Sequence, residues 1–357
     1  DLSVEKKSDK YEYVLPNILY GKTFFTEKFG TVDLTSNVLN SKFATNKSTT
    51  FLTNDLIWTP SVYITKKGFM NSFAGMIKNK NYKARNTGEY KEAGTVNELN
   101  TVLTYKSSLP LKKDGINYSN FFSPNFMLRY APGHMRDLSK KDVFLNYTNL
   151  YSMNKTSEIE DGLSAILGFD FKINEKLNDE SNREKFSISL GQVYNFDENI
   201  DIPSKSSLDQ KMSDVVGEMS YNFSKIGRIG YKFSVDHNLN DLNYNEVLTE
   251  LNFGKVQFNL DYLEQQNHIG LEHYASAGVS LNFNDNNKLS FSTKKNFKTD
   301  STELYNLSYQ YAIDCLTAGF VYRREFYHDA DLRPENSLMF TITFVPFSKI
   351  NTPVTQN

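Results

Sequence analysis

Apolar and polar residues alternate along almost the whole chain, from about residue 11 to residue 347. Alternation with a period of two indicates β-strands with one apolar and one polar face, because successive side chains of a strand point to opposite sides. The run at residues 338–344 is the clearest, since every second residue in it is a large apolar one. Hardly any segment places apolar residues at helical spacing. The pattern therefore predicts an all-β protein.

The runs predict about 17 strands of roughly ten to fourteen residues, much longer than the usual length of about 5 to 6. Between them, short turns alternate with long links such as residues 85–97, 132–161 and 197–212. In an up-and-down barrel every second link lies at the same rim, so one rim is expected to carry the long loops.

The face opposite the apolar one carries charged side chains in mid-strand. A dry interior would cost several kcal/mol for each unpaired ion, so this face has to meet water. Two architectures satisfy the pattern: a soluble antiparallel sandwich, and a barrel with lipid outside and water inside. Strand length, strand number and loop segregation favour a large antiparallel transmembrane β-barrel. Its predicted lumen-facing polar residues are Asp33, Glu218, Lys232, Asp236, Glu250, Asp261 and Lys294.

The strand count also indicates whether these strands form a complete barrel. Single-chain bacterial barrels close with an even number of strands, so a count near about 17 indicates a misread hairpin or an incomplete part of a larger barrel. The chain opens at Asp1 without an apolar signal region, so any signal peptide is expected to be removed or upstream. We expect a flexible N-terminal segment at residues 1–10, a barrel at residues 11–347 and a C-terminal tail at residues 348–357.

Composition and motifs exclude several functions. With 40 Lys and Arg residues against 42 Asp and Glu residues, the net charge of −2 argues against nucleic acid as a partner. No run reaches the ~18 apolar residues of a membrane-spanning helix. The five His residues show no metal-ligand spacing, and neither a GxSxG motif nor a Gly-rich phosphate loop occurs. We therefore expect no enzymatic activity, no metal and no cofactor.

A modest basic cluster occupies the longest link and the strand before it. Its members are Arg129, His134, Arg136, Lys140 and Lys141. Such a cluster could bind the phosphate groups of a phosphorylated sugar, and an ordinary charged loop is the alternative.

Several segments, taken in order, resemble one known family. They are residues 13–17, 126–132, 149–154, 159–162, 187–194, 213–217 and 315–347. The ordered set extends over nearly the whole chain and resembles the LptD family of outer-membrane lipopolysaccharide-assembly proteins. The chain looks like the C-terminal portion of that family's barrel.

The resemblance implies lipopolysaccharide transport at the bacterial outer membrane. Members of the family receive lipopolysaccharide from a periplasmic bridge, through a domain that precedes the barrel, and insert it into the outer leaflet. An LptE-like lipoprotein lies in the lumen, and acyl chains reach the outer-membrane lipid through a lateral gate between the first and last strands. The implied gate strand contains Ser337, Leu338, Phe340, Ile342, Phe344 and Pro346. Pro346 lacks a backbone donor and could weaken this seam, or it could simply end the strand.

The single cysteine, Cys315, follows a short turn and is expected at the rim opposite the long loops. The resemblance implies that this rim is periplasmic and that Cys315 forms a disulfide with the preceding domain. The periplasm is oxidising enough for such a bond. A free, partly buried thiol is the alternative.

Two other functions fit the alternation. One is a porin or an uptake barrel of the TonB-dependent type, which should close on its own from these strands. The other is a soluble β-rich adhesin or surface-binding protein, which should stay in solution without detergent.

Overall fold

The computed structural model describes residues 12–88, 90–92, 94–156, 158–177, 181–223, 226–326, 336–344 and 348–356. Within these ranges the chain forms twenty strands, one short helix and one 3-10 turn. The strands are β1 (Glu12–Thr26), β2 (Gly30–Phe43), β3 (Ser48–Thr59), β4 (Tyr63–Ile64), β5 (Met70–Arg85), β6 (Thr95–Ser108), β7 (Leu111–Asp114), β8 (Tyr118–Ala131), β9 (Gly162–Lys176), β10 (Asn182–Asn195), β11 (Val215–Phe223), β12 (Gly227–Val235), β13 (Leu242–Phe253), β14 (Val256–Gln265), β15 (His273–Asn284), β16 (Asn287–Asn296), β17 (Ser301–Ile313), β18 (Leu316–Glu325), β19 (Asn336–Phe344) and β20 (Ser348–Gln356). The helix α1 is Tyr147–Leu150, and the 3-10 turn is Ser204–Ser206.

All twenty strands belong to one antiparallel sheet, in which each long strand pairs with its neighbours along the chain. The short β4 and β7 continue β3 and β6, because they pair with the same partners, β5 and β8. Pro60 and Pro110 lie at the two interruptions, where a missing backbone donor breaks the ladder. If β3 with β4 and β6 with β7 are each counted as one interrupted strand, the described chain makes eighteen strand crossings. The predicted all-β antiparallel fold is confirmed.

The last strand, β20, was not predicted. Residues 348–356, expected as a tail, pair with β19 and extend the sheet. That expectation is corrected because Ile350, Thr352 and Val354 alternate as β-branched residues, which favour a strand. Residues 337–344 therefore lie between β18 and β20 and do not form the edge. Pro346 and residues 1–10 lie outside the described residues.

The two outermost strands are the first and the last. In the described ranges β1 pairs only with β2, β20 pairs only with β19, and no pairing joins β1 to β20. Every residue of β1 is exposed. Among the described residues the sheet therefore has two unpaired edges, β1 and β20.

Links of different length lie at opposite ends of the strands. One end, the short rim, carries turns such as residues 27–29, 115–117, 254–255 and 314–315. The other end, the long rim, carries residues 86–94, 132–161, 196–214, 236–241 and 266–272. The predicted segregation of loop lengths is confirmed, since successive antiparallel strands reverse direction.

The pairing register separates two faces of the sheet. Cross-strand partners share a face, and following them from strand to strand defines a polar face. On it lie six of the seven predicted residues: Asp33, Glu218, Lys232, Glu250, Asp261 and Lys294. The seventh, Asp236, is not in mid-strand as predicted, because β12 ends at Val235. Its carboxylate instead accepts a hydrogen bond from the backbone N–H of Asn238 (3.1 Å) and closes a turn.

The opposite, apolar face carries large exposed side chains such as Leu99, Leu167 and Phe320. Among the described residues no second sheet covers this face, since all strands lie in one sheet. A soluble sandwich would bury it against another sheet, so the fold is not a sandwich. In the same ranges no helix has the length and hydrophobicity needed to cross a membrane.

The β1–β2 turn supplies a test of this geometry. Gly30 has φ +77°, and a Cβ there would lie 2.3 Å from the carbonyl oxygen of Thr59. Gly254 has a similar φ of +75° but open space around its Cβ position. We expect Gly254→Ala to lower the free energy of unfolding by about 1–2 kcal/mol, the cost of left-handed backbone, and Gly30→Ala to lower it further. Urea unfolding of the detergent-solubilised protein measures both, and equal midpoints would contradict the predicted clash.

Candidate functional site

The longest link folds back onto the polar face. Residues 132–161, the crossing loop, connect β8 to β9 and reach strands on both sides of that hairpin. On one side, Glu158 of the crossing loop forms an ion pair with Lys80 on β5. At the other end Phe144 stacks on Tyr244 of β13, with ring centroids 5.3 Å apart. The loop thus covers the polar face from β5 to β13.

The helix α1 anchors the crossing loop. Its N-terminus is closed by a reciprocal cap: the Asn146 side chain accepts from the backbone N–H of Asn149 (3.1 Å), and the Asn149 side chain accepts from that of Asn146 (2.9 Å). The helix then buries Leu150 completely. The surrounding core consists of Met127, Leu145, Leu150, Ile166, Val193, Ile202, Leu208 and Val216.

Two paired glycines make room for this helix. Gly168 on β9 and Gly191 on β10 are cross-strand partners. A Cβ at Gly191 would lie 2.5 Å from Leu150 Cδ2, and one at Gly168 would lie 2.5 Å from the hydroxyl oxygen of Tyr151. The crossing loop therefore approaches the sheet closely only because both strands lack a side chain here.

A buried ion pair fixes the end of the crossing loop. The guanidinium of Arg129 on β8 donates to the carbonyl of Met153 (2.5 Å), and it lies 3.2 Å from the carboxylate of Glu160. Both charged side chains are almost fully buried, with 4% and 5% exposed. Glu160 also accepts from the backbone N–H of Lys155 (2.8 Å). Burial, together with the nearby Arg129, lowers the pKa of Lys155 to about 8.

A second ion cluster joins the loop to β5 and β6. Glu158 contacts Lys80 and also Arg136, at 2.7 Å from the guanidinium. Arg136 in turn lies 3.2 Å from Glu98, and its guanidinium carbon is 4.6 Å from the ring centre of Tyr90. Arg129 and Arg136, predicted as part of a phosphate-binding cluster, are thus engaged in internal ion pairs.

Asp170 on β9 links the loop to the sheet, because its carboxylate accepts hydrogen bonds from uncharged side chains of both. It accepts hydrogen bonds from the Tyr147 hydroxyl (2.7 Å), the Asn125 amide (2.7 Å) and the Ser189 hydroxyl (2.6 Å). Burial raises the pKa of Tyr147, so this hydroxyl remains a donor. A carboxylate on the polar face is therefore satisfied without a cation.

The second long link, residues 196–214, packs beside the crossing loop. The backbone N–H of Leu138 donates to the carbonyl of Asp201 (2.8 Å), and Lys205 pairs with Asp142 (2.7 Å). These contacts tie the two loops into one unit over the polar face.

The second loop ends at a buried carboxylate. Asp214 accepts from the Ser234 hydroxyl (2.7 Å) and the Asn243 amide (2.8 Å), and it lies 3.2 Å from Nε2 of His268. Burial raises the pKa of Asp214, but the nearby His268 and the hydrogen bonds from Asn243 and Ser234 outweigh it, so the pKa is lowered overall. The same contact raises the pKa of His268.

On the polar face, the described hydrogen bonds and ion pairs of the two loops extend as far as β13 and link 266–272. We call the polar face of β14 to β17 beyond them the open zone. It carries mostly small or hydrogen-bonding side chains. Examples are Asp261, Ser276, Ser280, Ser290 and Lys294. Lys294 pairs with Glu303 at 2.9 Å.

The predicted polar residues do not converge on one site. Glu218 and Lys232 border a small cavity beneath Leu145 and Tyr147 of the crossing loop. Asp261 and Lys294 lie in the open zone, Glu250 lies near them, and Asp33 lies near the β1 edge. Among the described residues no cluster of His, Cys, Asp and Glu is arranged to hold a metal ion. The exposed Cys315 lies in the short-rim turn between β17 and β18.

Sequence reasoning missed the residues that hold the loops. Glu158, Glu160 and Asp214 gave no periodic signal, since they lie in links and their partners are distant in the chain. The available signal was glycine: Gly168 and Gly191 stand in the middle of predicted strands, where a missing side chain marks a close approach.

The glycine pair provides a test of how closely the crossing loop packs against the sheet. Gly191→Ala should push Leu150 out of its place and lower stability by about 1–3 kcal/mol, the usual range for overpacking. Gly230→Ala is the matched control, because Gly230 lies on the same face and its nearest neighbour would be 3.8 Å from a Cβ. Hydrogen exchange of residues 144–151 measures the effect. Equal exchange in both variants would contradict the close approach.

The contact between Asp214 and His268 predicts that the stability of the second loop, residues 196–214, depends on pH. Because the pKa of His268 is raised above its usual 6.5 by Asp214, with further contributions from Asp209 and Asp236, its charged form stabilises the second loop. That stabilisation is complete below about pH 6.5 and is lost as the pH rises through the folded-state pKa, at a cost of roughly 1 kcal/mol.

Hydrogen exchange of residues 196–214 between acidic and alkaline pH tests this. His268→Gln should remove the pH dependence, whereas His237→Gln, which alters the neighbouring contact with Asp236 (3.1 Å), should leave it in place. An unchanged profile in His268→Gln would show that this pair does not hold the loop.

Comparison with known proteins identifies the family. The model of the family LptD, LPS transport system D, matches residues 58–273, which is more than half of the chain. Curated proteins give no significant match. Among solved structures, one mutant of the Rh. blastica porin is similar at 9% identity with a TM-score of 0.31, and another at 8% with a TM-score of 0.32; each match covers 96% of this chain and 100% of the porin. On the family match, the chain belongs to the LptD family.

Proposed function

We propose that this chain forms the wall of a lipopolysaccharide-transporting barrel in the bacterial outer membrane. The family it belongs to is named for LPS transport. The observation that carries the proposal is a single sheet with eighteen crossings, one polar face and one exposed apolar face. In a bilayer the apolar face would meet hydrocarbon and the polar face would enclose water.

An amphiphile such as lipopolysaccharide needs both surfaces. Its sugars and phosphates require a wet path, and its acyl chains require an apolar one. Strands of nine residues or more are long enough to cross the hydrocarbon core, since about 9–11 suffice. Neighbouring strands are joined by antiparallel ladders, which satisfy backbone groups that the membrane interior could not solvate.

The edge of the sheet at β19 and β20 is proposed as one side of the lateral gate that the family implies. Edge strands present unpaired N–H and C=O groups, so they need a partner or a protected environment. The predicted gate residues, Ser337, Leu338, Phe340, Ile342 and Phe344, belong to β19, which pairs with the edge strand β20.

The polar face is the proposed lumen wall. Glu250, Asp261 and Lys294 face the space that the two loops leave free, and the small side chains of β15 and β16 leave volume above the sheet. We assign this open zone to the sugar path and to an LptE-like lipoprotein, the partner that the family implies. The short rim, with Cys315, is then periplasmic, where a disulfide to a preceding domain and contact with the periplasmic lipopolysaccharide bridge would form.

Photocrosslinking in cells tests the proposed path. A photoreactive phenylalanine analogue at Ser280, on the polar face of the open zone, should crosslink to lipopolysaccharide only while new lipopolysaccharide is supplied. The matched control is Phe291 on the apolar face of the adjoining strand β16. It should contact lipopolysaccharide already in the outer leaflet, so its signal should persist after supply stops.

The proposal fails if Ser280 gives no lipopolysaccharide adduct while Phe291 does. It also fails if both signals persist equally after supply is stopped, because residue 280 would then face static lipid and not a transport path.

A further inference from the structure

The apolar face has a concave site near the middle of β8, β9 and β10. Most of its side chains come from two adjacent cross-strand rows, Phe126–Leu167–Gln192 and Pro124–Phe169–Leu190, and Phe69 and Leu109 lie at one end. Val215 of β11 completes one side. We call the space that these residues enclose the outer groove, and its volume is about 460 Å³.

The outer groove is separated from the polar face. Directly behind it lie Gly168 and Gly191, whose other side is covered by Leu150 and Tyr151 of the crossing loop. A groove blocked in this way does not lead through the sheet, so it is a site on the apolar face and not a portal.

The chemistry of the lining selects an apolar occupant. No charged side chain lines the groove. The longest polar side chain in it, Gln192, already donates from its amide nitrogen to the carbonyl of Ser213 (2.8 Å). The remaining side-chain surface is mainly aromatic and aliphatic, and the volume lies within the usual ~300–1,000 Å³ of ligand sites.

The backbone around the groove excludes an added peptide strand. β8, β9 and β10 are each paired on both sides, so no free ladder group is available for strand addition. What the apolar face offers is dispersion contact with a flexible apolar chain. In the proposed orientation, the surrounding bilayer presents such chains to this depth of the wall.

We propose that the outer groove binds one acyl chain of a membrane phospholipid as a specific site on the barrel exterior, away from the edge strands β1 and β20. This inference rests on the proposed function, because it requires the apolar face to meet the bilayer. It predicts a lipid that is held in place where the rest of the face meets freely exchanging ones.

The test uses the full protein in vesicles of phosphatidylethanolamine and phosphatidylglycerol with a trace of phosphatidylethanolamine carrying a diazirine in its acyl chain. After illumination, peptide mapping should find the label enriched several-fold on the strand segments around Leu167 and Leu190. Val215→Trp, which fills the groove, should abolish the enrichment. Val279→Trp on β15, a matched valine on the same face, should leave it unchanged.

Leu167→Trp provides a second filled variant, because Leu167 is 62% exposed and tolerates a larger side chain. Label spread evenly over the apolar face, or enrichment that survives both filled variants, would overturn the groove site and leave the barrel orientation standing. Absence of label from every position of the apolar face would overturn the proposed orientation as well. Enrichment lost equally in Val279→Trp would also overturn the site.

Discussion

From β2 to β19 the long strands carry mainly polar side chains on one face and mainly apolar ones on the other, and all of them pair within a single sheet. The side-chain period of a strand is two, so a slip by one residue would turn a charge such as Glu218 to the apolar face. Six strand pairs contain a register shift, and each shift lies near a strand end; two examples are those between Glu184 and Phe186 and between Ser234 and Val235. The strand centres hold one register, and the two faces stay distinct across the whole sheet.

The crossing loop follows from the same constraint. A strand that directs Arg129 to the polar face needs a partner for it wherever the face is covered, because removing one partner of a buried ion pair costs about 3–5 kcal/mol. Glu160 supplies that partner, and Asp170 finds three neutral donors. The polar face and the loop therefore specify each other: the charges fix where the loop lies, and the loop makes their burial tolerable.

The sequence was sufficient for the strands and insufficient for the loops, for a physical reason. Alternation is a local signal, so it located the strands, the rims and the face of residues such as Asp261 and Lys294. The prediction from alternation was wrong at two places. It assigned β20, a strand of nine residues after Pro346, to a tail, and it placed Asp236 in mid-strand although its carboxylate closes a turn. The contact between Lys80 and Glu158 joins residues 78 positions apart, and no local pattern encodes such a pair. Only the mid-strand glycines Gly168 and Gly191 could have pointed to the loop.

The loops also divide the sheet into unequal halves. Between β5 and β13 the sheet is backed by a hydrophobic core and by buried ion pairs, whereas β1 and β20 are held on one side only. Separating strands in the backed half would expose that core and strand charges such as Arg129, so it is the costlier place to open. The loop-covered half is therefore the part of the sheet that resists opening, because separating its strands exposes both an apolar core and buried charges.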